Sequence, residues 1–338
     1  MCLPPLGLYG YSPDLAFLRG ASVATQADRL AALGAAIVFG GDDDPTLAEA
    51  LRARGIRVMA EFTCFAGPSW WARHPDSRPV LPDGAPLDAV DGYYGVNPAH
   101  AGVCEELLTR LRELVRSRPL DGLWLDFIRW PCHWEAPVPP LPDTSWDAAT
   151  LAAFCRATGL PLPRTRAAER AFVERVRAEH SDAWQAWRAG VVTAFAAEAA
   201  AIVRAVQPAC LVGAFTVPWT RSDWGGALMR VVGQDLPALA AHVDVFSPMV
   251  YHRMCGRPPR WLIDVCADQR AATGRPIWPI VQAVDSPTAL SLDEYRAALE
   301  AACAAGDAVL VFDLRGLEDD ARRAATAQVF APCRSVGH

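Results

Sequence analysis

Apolar, strand-like runs and amphipathic, helix-like runs alternate along this chain from one end to the other without interruption. The strand candidates are residues 6–12, 35–41, 57–64, 122–129, 210–218, 244–251, 276–284 and 307–314, each bounded by turn-forming residues. Helical stretches lie between them, at 45–54, 99–117, 169–206, 236–242, 260–273, 293–305 and 319–330. Strands that are apolar on both faces belong to parallel sheets covered by helices. Eight of them in one series predict an α/β protein: a closed (β/α)8 TIM barrel over residues 1–338, as a single domain. An open, doubly wound sheet is the rival architecture. No G-x-G-x-x-G opens a helix after the first strand, which weakens the nucleotide-binding version of that rival.

Two connections are longer than ordinary loops, residues 65–98 after the third strand and 130–165 after the fourth. The first carries Trp70 and Trp71; the second carries Pro131, Pro137, Pro139, Pro140 and Pro142. In a barrel of this kind both lie on the carboxyl-end face, where the loops build the active site. Between them runs PLDGLWLDFIRWP, residues 119–131. Its turn residues Pro119, Asp121 and Gly122 lead into Leu123-Trp124-Leu125 and then Asp126. A carboxylate at the end of a strand otherwise driven into the core makes Asp126 the first catalytic candidate.

Composition removes several chemistries. All 32 basic residues are arginines, so Schiff-base and phosphate-loop mechanisms that need a lysine are excluded. A net charge of −6 gives no electrostatic footprint for nucleic acid. Ten cysteines are scattered without a C-x-x-C pair, which reads as small buried residues in a reducing compartment. The opening MCLPPLGLYGYSPD has no signal-peptide pattern, and no run reaches the roughly 18 apolar residues of a membrane span. A cytoplasmic protein with no membrane partner is the expectation.

Polar residues at the ends of the expected strands form a short set: Tyr9 and Tyr11, Asp42 to Asp44, Glu61, Asp126 with Arg129, Asp223, Tyr251 and His252, Gln282 and Asp285, and Asp313. Two carboxylates at an apolar mouth suit glycosidic-bond cleavage, in which one protonates the departing oxygen and the other attacks carbon or activates water. Each candidate also has a structural reading. Asp126 can close the strand end by pairing with Arg129, Glu61 can pair with an arginine, and Asp223 can cap a turn. Asp313 can pair with Arg315, and Asp42 to Asp44 precede Pro45 as a helix cap.

Six of the twelve tryptophans, Trp70, Trp71, Trp130, Trp134, Trp219 and Trp224, fall just after expected strands. They can cover the apolar face of a pyranose or pin long loops to the barrel rim. His133 and Glu135 sit two residues apart, but no second histidine cluster completes a metal site, and no metal or other cofactor is expected. No G-x-S-x-G elbow is present.

Three segments together resemble a known group. NPAHAGVCEELLTRLRELV (97–115) followed by DGLWLDFIRWP is similar to the Asn-Pro helix and D-G-I-x-x-D-Y-I-R-F-P strand of bacterial glycoside-hydrolase-like barrels. Those barrels are related to the hydrolase domain of poly-N-acetylglucosamine-processing enzymes. VVGQDLPALAAHVDVFSPMVYHRM (231–254) resembles their sixth-strand segment, and WPIVQAV (278–284) their seventh strand ending in glutamine. The likeness covers residues 95–285. It implies a barrel with Asp126 in the catalytic position and Arg129, Tyr251 and Gln282 lining the subsite. The chain departs from the pattern in GAFTVPWTRSDW, where Asp223 stands farther from the strand than the family's acidic residue, and in PCHWEAPVPPLPDTSW.

The reading is a glycosidase-type hydrolase acting on an oligosaccharide or other glycoside. Asp126 is nucleophile or base, with Glu61 or Asp223 as acid partner. Arg129, Trp130, His133, Trp219, Tyr251, His252, Gln282 and Asp313 are the expected substrate contacts. A non-catalytic sugar-binding barrel and a metal-dependent barrel enzyme on a non-sugar substrate are the alternatives. The sequence assigns no oligomeric state.

Overall fold

Each strand-like run contributes one strand. The computed structural model describes residues 3–330. It contains β1 (Leu6–Leu8), β2 (Ala35–Phe39), β3 (Arg57–Thr63), β4 (Gly122–Asp126), β5 (Leu211–Thr216), β6 (Val245–Val250), β7 (Ile280–Gln282) and β8 (Val309–Phe312). All neighbours are parallel, and β8 pairs with β1 to close the barrel in chain order. The strands are shorter than the sequence runs at their carboxyl ends, where residues such as Phe127 to Arg129 leave the ladder to form the mouth.

Local signals set the helix boundaries. Asp44 accepts from the backbone N–H groups of Thr46 and Leu47, and Pro45 occupies the first turn of helix Pro45–Arg52. Asp42 instead pairs with Arg118 at 2.8 Å. The stretch 169–206 is two helices, Arg166–Glu179 and Ser181–Val206, broken at His180 (φ −127°, ψ 23°). No glycine or proline marks that break. Helices Val23–Ala32 and Ala148–Thr158 add to the expected set. A small apolar cluster around Trp146, Phe154, Phe172 and Trp184 forms apart from the main core.

By length and composition Ser181–Val206 is apolar enough to cross a membrane, which corrects the expectation that no segment would be. Val192, Phe195, Ala196, Ala199 and Val203 on its buried face pack into the barrel core instead. The eight described cysteines are free thiols; Cys2 and Cys333 lie outside the described residues.

The barrel interior is built around Trp124. Its indole stacks on Trp278 (centroids 5.2 Å apart, 25°), meets Phe39 edge-on, and donates to Ser247 Oγ at 2.9 Å. A side chain this large fits because β5 carries Gly213 opposite it and β4 itself carries Gly122 two residues before it. A Cβ at Gly213 would overlap the indole, and one at Gly122 would press on Met59 Sδ. We therefore expect Gly213→Ala to destabilise the protein by about 1–3 kcal/mol, the usual range for overpacking a filled core. Chemical denaturation checks this; an unchanged midpoint would show that the indole has room to move.

Candidate active site

Register and side-chain period place Glu61 and Asp126 on adjoining strands with their side chains on the inward face. Along β4, Trp124 and Asp126 are two residues apart and so face the same way, into the barrel. On β3, Glu61 is opposite Trp124 and Thr63 is opposite Asp126. Glu61 also reaches inward, because it accepts a hydrogen bond from the Tyr9 hydroxyl. The Tyr9 ring lies among the interior aromatics Phe39, Phe215 and Phe312. Thr63 Oγ1 donates to the other oxygen of Glu61 at 3.2 Å.

Asp126 is 8% exposed and its environment favours the protonated form. Burial, followed by the negative charge of Glu61, pushes its carboxyl from an ordinary 3.8 up to about 7. The Arg129 guanidinium and the Phe127 backbone N–H, which donates to Oδ1 at 2.7 Å, pull the other way without prevailing. Arg129 stands 4.0 Å from Asp126 and lies over the rings of Phe127 (4.6 Å) and Tyr93 (5.9 Å). Its Nε and Nη1 are buried and have no hydrogen-bond acceptor within the protein. Phe127 takes φ +50°, a left-handed conformation costly for an aromatic residue. That turn re-aims the chain directly after the carboxylate.

The loop after β4 folds back over the mouth. Trp134 is fully buried and packs on Tyr251 (5.6 Å), which stacks on Phe312 (4.6 Å, 26°). Burial and the nearby groups Tyr9, Asp126, Glu135 and Glu61 push the Tyr251 hydroxyl well above its usual range, so it remains a donor. Glu135 also contributes to the upward shift of Asp126. A cavity of about 350 Å³ opens beside these groups, with Thr63, Tyr93, Phe127, His133 and Glu135 in its wall. His133 Nε2 is 3.9 Å from Asp91 and 4.0 Å from Glu135. Among the described residues no three metal-ligating side chains converge.

Other expected contacts have structural engagements. Trp130 donates to the Arg188 carbonyl at 2.9 Å and receives that arginine's guanidinium on its face, which ties the loop to helix Ser181–Val206. Trp219 is buried in the core, and the side-chain amide of Gln269 donates to its carbonyl. The Gln282 amide donates to Val284 and Ser286 carbonyls and its oxygen accepts from Met254 N–H, bracing the loops after β6 and β7. His252 is fully buried, and neither ring nitrogen has a partner. Asp313 is at the mouth, where it contributes to raising Tyr9, but it is held by Arg315 at 2.6 Å. Asp223 accepts from Thr220 N–H at 2.7 Å and caps its own turn; it is not among the groups that act on Asp126.

Of the loop tryptophans, Trp70, Trp130, Trp134 and Trp219 are buried and act as pins. The residues that sequence reasoning passed over at the mouth are Tyr93, which carried no signal beyond its place in a long loop, and Glu135, weighed only as a metal ligand. An acid nine residues past a catalytic-face carboxylate was the available clue for Glu135.

No family model matches the chain, and no curated protein does either. Solved structures do match. The glycoside hydrolase domain of PgaB (BpsB) from Bordetella bronchiseptica superposes with a TM-score of 0.70 at 16% identity, covering 98% of this chain and 99% of that one. The β-galactosidase of Rahnella sp. R3 gives 0.68 at 14% identity, over 98% of this chain and 56% of its own. That of Marinomonas ef1 gives 0.65 at 15% identity, over 96% and 59%. This chain thus spans nearly all of the PgaB domain and little more than half of each galactosidase. At such identities the likeness establishes the fold alone, a (β/α)8 barrel.

The Asp126 environment predicts a pH signature. The folded protein holds this proton up to about 7, whereas the unfolded chain releases it near 3.8. The folded state binds more protons in that window, so this group's contribution to stability falls as pH rises through it and is lowest above it. Asp126→Asn should therefore raise Tm by a few degrees above neutrality and have little effect at the acid end. A Tm difference that stays flat across the window would contradict the assignment.

Proposed function

We propose that the protein cleaves or transfers a glycosidic bond at the β3–β4 side of the mouth, using Asp126 and Glu61 as its carboxylate pair. The observation that carries this reading is a buried carboxyl at the end of β4, raised to about 7 and set beside a second acid on the adjoining strand. A carboxyl that keeps its proton near neutrality suits the general acid that protonates the departing oxygen. This reverses the role assigned to Asp126 from sequence, where burial could not be weighed. Glu61, accepting from Tyr9 and Thr63 hydroxyls, is the group that attacks the anomeric carbon or activates water. Arg129 and Tyr251 present donors toward substrate hydroxyls, and His133 and Glu135 border the cavity where the sugar enters. A carbohydrate substrate is supported by the structural neighbours, a glycoside hydrolase domain and β-galactosidases.

A screen of aryl glycosides tests the proposal. Asp126→Asn and Glu61→Gln are each expected to lower kcat by roughly 10²–10⁴-fold, the usual contribution of a positioned acid or base. A dinitrophenyl glycoside, whose leaving group needs no proton, should recover most of the loss in Asp126→Asn and none in Glu61→Gln. Asp223→Asn should retain wild-type turnover. Sugar binding without turnover, equally tight in Asp126→Asn, would instead establish a non-catalytic binding barrel.

The alkaline limb of kcat/KM should lie near 7, because activity requires protonated Asp126. Removing the Glu61 charge takes away one cause of the upward shift, so the Asp126 carboxyl in Glu61→Gln should titrate at lower pH. Carboxyl-carbon NMR reads this directly, and an unmoved titration would mean the two acids do not interact.

A further inference from the structure

A second cavity, of about 360 Å³, opens between helix Ser181–Val206 and the segments 141–146 and 230–231. It shares no lining residue with the cavity at the mouth. Three arginines, Arg177, Arg188 and Arg230, meet one carboxylate there, Asp143, which Arg177 engages at 3.0 Å. The other two face backbone oxygens. Arg188 donates to the carbonyls of Arg230 (2.8 Å) and Val231 (2.9 Å), and Arg230 donates to that of Trp224 (3.0 Å).

Arg188 is the anomaly. It is 2% exposed, and charged side chains this buried are ordinarily paired with an opposite charge. Two carbonyls and the face of Trp130 at 4.4 Å solvate the guanidinium but supply no counter-charge. Its Nε is buried without an acceptor, and burial pushes the group down to about 9. The indole N–H groups of Trp146 and Trp184, two more residues of the cavity wall, are likewise buried without acceptors. Ser181 opens the long helix at this wall, and no side chain caps that helix. Asp182 in that first turn offsets part of its partial positive charge, so the two arginines are the main attraction for an anion. Every unpartnered group found at this wall is a donor, and the arginine charge exceeds the acid charge.

We propose that this cavity binds a small oxyanion group, such as phosphate, sulfate or carboxylate, held by Arg188, Arg230 and the first turn of helix Ser181–Val206. The group can arrive as a free inorganic ion or as the acidic substituent of a sugar. The rival reading is that Arg188 only staples the turn at 230–231 to the long helix.

Calorimetric titration of the full chain with inorganic phosphate, sulfate and glucuronate, at ionic strength matched with chloride, separates these readings. Saturable binding is expected in the wild type and, unchanged, in Asp126→Asn. It should weaken about tenfold or more in Arg230→Gln, the scale of a lost charge-assisted hydrogen bond. Arg188→Lys should also weaken binding; if that variant misfolds, Arg230→Gln carries the test alone. Tighter binding of glucuronate than of phosphate and sulfate identifies an acidic sugar as the source, and the reverse order a free ion. No saturable binding of any of the three overturns the proposal. Binding lost in Asp126→Asn and kept in Arg230→Gln also overturns it, by placing the anion at the mouth. Because this site uses none of the carboxylate pair, its failure leaves the glycosidase reading untouched, and an inactive barrel leaves this site standing.

Discussion

The burial of Trp124 inside the barrel is the constraint on which the mouth depends. A closed eight-stranded barrel has an interior filled by layers of side chains. Here one layer is dominated by a single indole, admitted by glycine at 213 and fixed by Trp278, Phe39 and Ser247. The strand period then leaves no freedom: two residues beyond Trp124, on the same inward face, comes Asp126. The indole and the ring of Tyr9, which packs on Phe39, make an aromatic floor beneath the carboxyl. Water cannot reach Asp126 from below, and its desolvation follows from the packing.

Placing two acids on adjoining inward positions is unfavourable for the fold, and the structure moderates the conflict without removing it. Arg129 approaches Asp126 only to 4.0 Å and keeps part of its guanidinium over aromatic rings. A closer, bidentate pairing would hold the carboxylate ionised. The left-handed turn at Phe127 sets this distance by turning the chain before Arg129 can lie alongside the acid. Backbone strain at a site of this kind is compatible with function because the surrounding core determines the conformation. The same reasoning explains why Asp313 is a poorer acid–base candidate than its position suggests. Arg315 contacts it through backbone and side chain together.

How much of this was legible in the sequence depended on which physical signal carried it. The eight strands were readable because burial on both faces forces continuous apolar runs, and Asp126 stood out because it interrupts one. The break at His180 was invisible, since it lies in the backbone conformation of His180 and no glycine or proline marks it. The tryptophans left two readings open for a related reason. Strand-end position says which face a loop starts from, but Trp130 follows the turn at Phe127 and packs against Arg188 of helix Ser181–Val206. Gln282 and Trp219 occupy mouth positions yet brace neighbouring loops through backbone carbonyls, a use that residue type alone does not disclose. Asp223 lay on the expected face and folded into its own turn. Glu135 was close in sequence, but only the return of the proline-rich loop over the barrel brings it to the acids.

The absence of lysine bears on the electrostatics of both cavities. A guanidinium keeps its charge and offers a planar fork of donors, so its position can be varied without its protonation state changing. At the mouth, Arg129 is therefore a fixed cation against which Asp126 titrates, and a pH response near neutrality need not involve the loss of positive charge. A lysine at that position would be more mobile and would readily lose its proton when buried, coupling two titrations where the arginine leaves one. In the second cavity the same chemistry has the opposite consequence. The one acid that acts on Arg188, Asp143, is already engaged by Arg177, and the fold has solvated the guanidinium with carbonyls and an indole face. A buried guanidinium with no hydrogen-bonded acid of its own leaves room for an anion supplied from outside the chain.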